Sequence, residues 1–435
     1  MISVGFVLQY DDYNWDPFRN IPYTALYLLT ILEARLGDQV ELSLVDLRGV
    51  KKESLVHYCP PKDLYLYTVS TPVYMDTVLV VNALRAAHPQ ALHVGGGPHV
   101  SLFPEQCAQL FDSIVLNDGE ESVVALVTDF MNATLQPQYQ QQGVNHFSDY
   151  PYPDRKFVAP TSVGVKGLLG GEYANLNGAE TLFSRGCPFN CYFCANQKLS
   201  YTPVMFRSPQ QIRHEIEYLK REYRIEALAI KDDNAIPVNR DVAIGLLEAI
   251  GEGQVKWRGQ SRANGIRPDM VKLAQQAGCV DIAIGLESVS PQVLAIVNKK
   301  IKLAEAKAYI GHLKAAGIGV RLNLILGLPG EPDDILKQTI DFVDEVGPSS
   351  VLLCLFCPVP GSEIFQNPEA FGIRIDSLDW EKYRWVFARF DQDELPDFVY
   401  HYQETTPWGK GRSNEANYQD YMACQAMLRE RGLVF

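Results

Sequence analysis

Arg185-Gly186-Cys187-Pro188-Phe189-Asn190-Cys191-Tyr192-Phe193-Cys194-Ala195-Asn196 carries three cysteines spaced Cys-x-x-x-Cys-x-x-Cys, with a glycine and a proline to bend the backbone. Three thiolates this close can wrap one cube of iron and sulfide and leave its fourth iron without a protein ligand. An open iron is a place for a substrate or cofactor to bind. Cys187, Cys191 and Cys194 therefore read as ligands of a reactive centre. Two plainer readings stand beside it: buried structural cysteines, and a zinc site with its fourth ligand elsewhere. The other six, Cys59, Cys107, Cys279, Cys354, Cys357 and Cys424, are scattered, mostly among apolar neighbours, and read as small core residues.

Outward from this run, strands alternate with helices on both sides. Upstream, strands are expected over 4–8, 40–45, 63–70, 91–94 and, last, 113–116, with helices over 25–36, 75–87 and after Ser122. That alternation argues a parallel, doubly wound sheet over 1–135. Ligands of such sheets bind beyond the carboxyl ends of the strands, where the Ser70-Thr71 and Gly95-Gly96-Gly97 turns would lie. Residues 136–180, rich in Gln, Gly, Pro and Tyr, read as an ordered connector, since aromatic residues are wasted in a flexible linker. Downstream, six strands are expected over 181–184, 227–231, 255–261, 281–285, 319–326 and 350–356. A helix over 208–223 opens on Ser208-Pro209, an N-cap followed by proline in the first turn.

Composition narrows the classes. A net charge of −13 with no long basic run argues against nucleic acid as a main partner. The apolar fraction of 47 % is ordinary for a globular protein, and no apolar stretch reaches transmembrane length. Met1 to Leu8 lacks the basic flank and cleavage site of a signal peptide and reads as a buried strand. Free cysteines and an oxygen-labile centre point to a reducing cytoplasm.

The cysteine run, with Phe193 before its third cysteine, resembles the signature of the radical SAM superfamily. The resemblance implies a 4Fe-4S cluster on the three cysteines and S-adenosylmethionine (SAM) chelated to the unique iron. An electron from the cluster would then split SAM to a 5′-deoxyadenosyl radical. It also implies a partial (β/α)6 barrel over 181–365 with its reactive centre at the strand ends. Carried over residue by residue, Asp232, Asp233 and Asn234 would meet the SAM amino group. Arg262 would fork onto the SAM carboxylate, and Glu287 and Ser288 would lie near the ribose and carboxylate. Asn323 and Leu326, in the segment running to Glu331, would pack near the adenine.

The upstream domain resembles the cobalamin-binding domain of one large radical SAM subgroup, on Val69-Ser70-Thr71-Pro72, Val94-Gly95-Gly96-Gly97-Pro98-His99, Pro104-Glu105 and Gly119-Glu120-Glu121. By that resemblance Ser70, Thr71, Gly95, Gly96, Gly97, His99, Gly119 and Glu120 would meet a corrinoid, whose approach the small residues permit. No Asp is followed two residues later by His, so the Asp-x-His-x-x-Gly loop that supplies a lower axial histidine is absent. This implies cobalt without a histidine ligand, or an empty domain kept as a scaffold. His99 reads as a capping or surface residue.

Together these features imply an α/β protein: a Rossmann-like doubly wound domain, then the partial barrel, then an aromatic extension over 366–435. That extension is either a lid on the barrel mouth or a set of helices against its side. The function implied is methyl transfer to an unactivated carbon of a small metabolite or natural product. The alternatives are radical cyclisation, ring rearrangement or oxidation on the same architecture, and an inactive scaffold. A flavodoxin or ferredoxin-type electron donor is implied as partner, docking near Lys198.

Overall fold

The computed structural model describes residues 1–9, 18, 20–142, 146–196, 204–263, 267–386 and 395–434. The chain divides into two compact units: Met1–Val163 with Asp379–Arg389, and Gly164–Leu378 with Phe390–Phe435. The 136–180 stretch is thus shared between the units, and so is the 366–435 extension.

The first unit is built on six parallel strands: β1 Ile2–Leu8, β2 Val40–Asp46, β3 Leu64–Thr68, β4 Leu92–Gly96, β5 Ser113–Leu116 and β6 Gln138–Gln140. Their order is β2-β1-β3-β4-β5-β6, a doubly wound arrangement with its switch between β1 and β3. β1 has to be a continuous apolar run, because strands of a covered parallel sheet are buried on both faces. Val4, Phe6 and Leu8 of β1 pack with Leu64, Leu66, Val94 and Val115, and with Leu29 and Leu32 of helix α1 Tyr23–Leu36. Strand β6 was not expected, since 113–116 read as the last. Only its central Tyr139 is buried between two exposed glutamines, so this short edge strand carries no apolar run. The connector aromatics are packed. Phe147 and Tyr150 meet the Tyr27 ring edge-on at 5.9 and 6.5 Å.

The second unit holds six parallel strands in sequential order: β7 Gly178–Thr181, β10 Ala227–Ile230, β11 Lys256–Arg262, β12 Cys279–Glu287, β13 Gly319–Leu326 and β14 Ser350–Leu355. Each strand lies beside the next, which gives a curled half-barrel rather than a doubly wound sheet. β7 starts three residues earlier than expected. Gly-Ala-Glu-Thr lacks an apolar run, and Gly178 is there because a Cβ would meet Leu168 at 3.0 Å. Ser184, expected in this strand, instead belongs to β8 Ser184–Arg185, which pairs antiparallel with β9 Met205–Phe206. That small ribbon brackets the cysteine run. The helix Pro209–Tyr223 has the expected Ser208 cap, completed as a capping box by Gln211.

The last helix, Asn414–Glu430, packs along β14 and buries Tyr421, Cys424 and Leu428, and Val351 N–H donates to Leu433 O at 2.7 Å. Among the described residues no helix is long and apolar enough to cross a membrane.

Candidate active site

Two consecutive acids after β10 hold the cysteine loop. Asp232 is fully buried. Its Oδ1 accepts the Phe183 backbone N–H at 2.7 Å and its Oδ2 accepts the Ser184 hydroxyl at 2.6 Å. Burial pushes its carboxyl up to about 7, against the pull of those bonds. Asp233 accepts from Asn196 Nδ2 at 2.8 Å and from the Gly186 backbone. Entrance and exit of the loop are therefore tied to one strand end. Asp232, expected to meet a SAM amine, spends both oxygens on this anchoring.

Within the loop Cys191 is buried and Cys187 and Cys194 are half-buried, all as free thiols. Burial pushes Cys194 up to about 11 and also raises Cys187, so their thiolate forms need positive charge nearby. Part of that charge is built in. Arg262, at the end of β11, stacks over the Phe189 ring at 3.9 Å, and its Nη1 donates to Cys191 Sγ at 3.1 Å. The guanidinium expected on a SAM carboxylate thus serves the cysteine loop. Among the described residues, no three His, Cys, Asp or Glu side chains are grouped to hold a single metal ion. An iron–sulfur cube is a different demand, because each soft thiolate takes its own iron corner. Three thiols on one anchored loop, with a buried donor on one sulfur, suit it.

A second support comes from the turn after the helix Pro291–Ile296. Tyr192 N–H donates to Val297 O at 3.0 Å, and Asn298 Nδ2 donates to Asn190 O at 2.5 Å. Lys299, only 6 % exposed, pairs with Glu287 Oε1 at 2.8 Å and lies 5.5 Å from the Phe193 ring centre. Lys299 is a site residue that sequence reasoning missed, because Asn-Lys-Lys after a helix reads as a solvated turn.

The other SAM-side candidates divide. Ser288 is buried and accepts from Ser290 N–H at 3.2 Å, and Leu326 is packed in the core. Asn234 and Asn323 each bury an Oδ1 without a hydrogen-bond partner among the described residues. Such an atom costs about 1–3 kcal/mol. These two side chains retain capacity for a ligand's donor.

In the first unit the turns lie at the carboxyl edge as expected, but their glycines face the protein itself. A Cβ on Gly95 would meet the Phe111 ring at 2.3 Å, and one on Gly97, at φ +96°, would meet Val69 N at 2.8 Å. His99 is neither a cap nor a surface residue. Its fully buried ring lies 4.3 Å from Tyr74, 4.9 Å from Phe103 and 5.2 Å from Trp380, with Nδ1 at 3.1 Å from Thr71 Oγ1. Burial lowers it to about 4. Glu120 is buried and accepts from Tyr27 OH at 3.1 Å. Ser70 is exposed, and Thr71, Gly96 and Gly119 are half-buried.

Of the extension, Trp380 belongs to this first unit, and its Nε1 donates to Gln106 at 3.2 Å. Tyr402 and Trp408 line a cleft of about 570 Å³ in the second unit, together with Gly330, Glu331 and Lys410. Arg412 is held by Asp420 and Pro332 O. Lys198, Phe387 and Phe390 lie outside the described residues.

Residues 181–343, from the end of β7 through most of the half-barrel, match the radical SAM superfamily. The chain is a radical SAM enzyme. A radical SAM domain implies a 4Fe-4S cluster and SAM. Among curated proteins this radical SAM enzyme is similar to an uncharacterized methyltransferase of Pyrococcus horikoshii, 25 % identical over 74 % of this chain and 73 % of the relative. It is also similar to the anaerobic magnesium-protoporphyrin IX monomethyl ester cyclase of Rubrivivax gelatinosus, 26 % identical over 89 % of this chain and 72 % of that protein. Its fold matches the radical SAM methyltransferase TsrM of Kitasatospora setae, solved with cobalamin and a 4Fe-4S cluster. There the TM-score is 0.69 at 16 % identity, over 98 % of this chain and 88 % of the other.

Proposed function

We propose that this enzyme is a cobalamin-dependent radical SAM methyltransferase acting on an unactivated carbon of a small metabolite or natural product. The observation that carries the reading is the pairing of two folds in one chain: a β2-β1-β3-β4-β5-β6 parallel sheet, then a half-barrel bearing the cysteine loop. The same fold, over 98 % of this chain, occurs in a methyltransferase solved with cobalamin. Bound together, the cluster, SAM and cobalamin supply a carbon-centred radical and a transferable methyl group.

This chain's own residues hold and shield these groups. Cys187, Cys191 and Cys194 take the cluster, and Arg262 donates to the Cys191 sulfur. Asp232 and Asp233 keep the loop in register. Asn234 and Asn323, whose buried Oδ1 atoms have no partner among the described residues, would accept donors from SAM. Ser70, Thr71, Gly96 and Gly119 would meet the corrinoid at the carboxyl edge of the first unit, while Gly95, Gly97, His99 and Glu120 pack behind that edge.

The second reading is radical cyclisation or oxidation without methyl transfer, favoured by the resemblance to the Rubrivivax cyclase across 89 % of the chain. Anaerobic reconstitution with iron, sulfide and hydroxocobalamin, followed by desalting and an absorption spectrum, tests the first reading. Corrinoid bands retained beside the cluster shoulder are expected. Cluster without corrinoid would overturn it. Isotope-labelled SAM methyl then separates methylation, with label in the product, from cyclisation, with none.

A further inference from the structure

The cysteine loop carries two phenylalanines, Phe189 and Phe193, and each has a buried or nearly buried cation on its ring. Arg262 stacks on Phe189 and reaches Cys191 Sγ, and Lys299 lies over Phe193, the residue before Cys194. Arg262 touches a ligand sulfur directly. Lys299 has no such contact, yet three separate features of the chain converge to place it.

The turn that bears it is clamped to the loop by the Tyr192–Val297 and Asn298–Asn190 bonds, and Asn298 and Lys300 both take left-handed backbone, φ +53° and +52°. Glu287, at the end of β12, adopts φ +71°, a conformation that costs a non-glycine residue of order 1–3 kcal/mol. Gly285 has no side chain, and a Cβ there would meet Glu287 Oε1 at 2.6 Å and Lys299 Nζ at 3.2 Å. Small size, strained backbone and a two-point clamp all preserve one ion pair beside the cysteine loop. Lys299 and Glu287 side chains are 8 % and 13 % exposed, so neither charge is screened as a surface pair would be.

We propose that Lys299 is a positioning residue for the cluster's electrostatics. Its buried positive charge favours the reduced, more negative state of the cluster held by Cys187, Cys191 and Cys194, and Glu287 partly offsets it. Reduction adds one electron and no atom, so the charge on the cluster becomes more negative by one. A fixed cation nearby stabilises that state and a fixed anion opposes it. The inference rests on the cluster assignment and on no cobalamin.

Redox titration of the reconstituted enzyme before SAM is added, followed by electron paramagnetic resonance of the reduced cluster, tests it. Lys299→Met is expected to lower the ratio of reduced to oxidised cluster about tenfold at a fixed potential, which for one electron is 59 mV. Lys299→Arg restores the wild-type midpoint. Glu287→Gln moves the midpoint the opposite way, because it removes the opposing charge.

The opposite signs are decisive. Both Met and Gln variants break the same ion pair, so a merely structural pair moves both midpoints in one direction or neither, and either result overturns the proposal. Where Lys299→Met fails to hold its cluster, the Arg and Gln variants still decide. A wild-type protein that takes up no cluster fails the cluster assignment instead, and iron and sulfide analysis reports that separately.

Discussion

Gly95 and His99 show how residues that resemble cofactor contacts are claimed by packing. The Phe111 ring occupies the space a Gly95 side chain would need, at 2.3 Å. Gly95→Ala is therefore expected to destabilise the protein by about 1–3 kcal/mol before any corrinoid is present, since overpacking displaces a core ring. Urea unfolding of the cofactor-free protein measures this; unchanged stability with impaired corrinoid uptake would return Gly95 to a contact role. His99 makes a pH prediction. Its unfolded pKa is about 6.5 and its folded value about 4, so between these the unfolded chain binds the extra proton. Its stabilising contribution is complete above about 6.5 and is lost as pH falls toward 4. From pH 6.5 to 5 the loss is about 2 kcal/mol for this ring. His99→Gln should flatten the fall of the urea midpoint over that range by a comparable amount.

Among elements, the segment 379–386 stands out because it lies far along the chain yet packs in the first unit. Trp380 sits 4.8 Å from Phe103 and on the edge of His99, and it donates to Gln106, so one indole covers the turn after β4. Trp380→Ala removes a buried aromatic side chain worth about 3–5 kcal/mol. Amide hydrogen exchange should accelerate over 71–77 and 98–107, while the amides of β11 to β13 keep their protection. Equal acceleration in both units would mean that the segment supports the whole chain. The cysteine loop is the other element held by distant partners, the acids after β10 on one side and the Val297–Lys300 turn on the other. An anchored loop keeps three thiolates in register when no iron is bound, which favours assembly of the cluster over collapse of the site.

At the scale of the molecule, the proposed cluster and corrinoid sites fall in different units, and on that reading their loading should separate. Replacing Cys187, Cys191 and Cys194 together with alanine is expected to abolish iron and sulfide uptake and SAM cleavage. Corrinoid retention by the first unit should stay within about twofold of wild type. Loss of both in the folded variant would show that the two sites assemble as one. The alternating strands and helices, the two parallel sheets and the cysteine spacing were legible in the amino-acid order, because covered parallel strands need apolar runs and three close thiols need a shared centre. β6, the true start of β7 and the buried state of His99 were not legible. Gln-Tyr-Gln and Gly-Ala-Glu-Thr carry no apolar run, and a histidine in a turn looks solvated until Tyr74, Phe103 and Trp380 surround it. Chemistry that depends on neighbours in sequence could be read from the chain alone. The roles of Arg262, Asp232 and Lys299 depend on neighbours dozens of residues away or more on one side, and only the folded protein brings those charges to the cysteine loop.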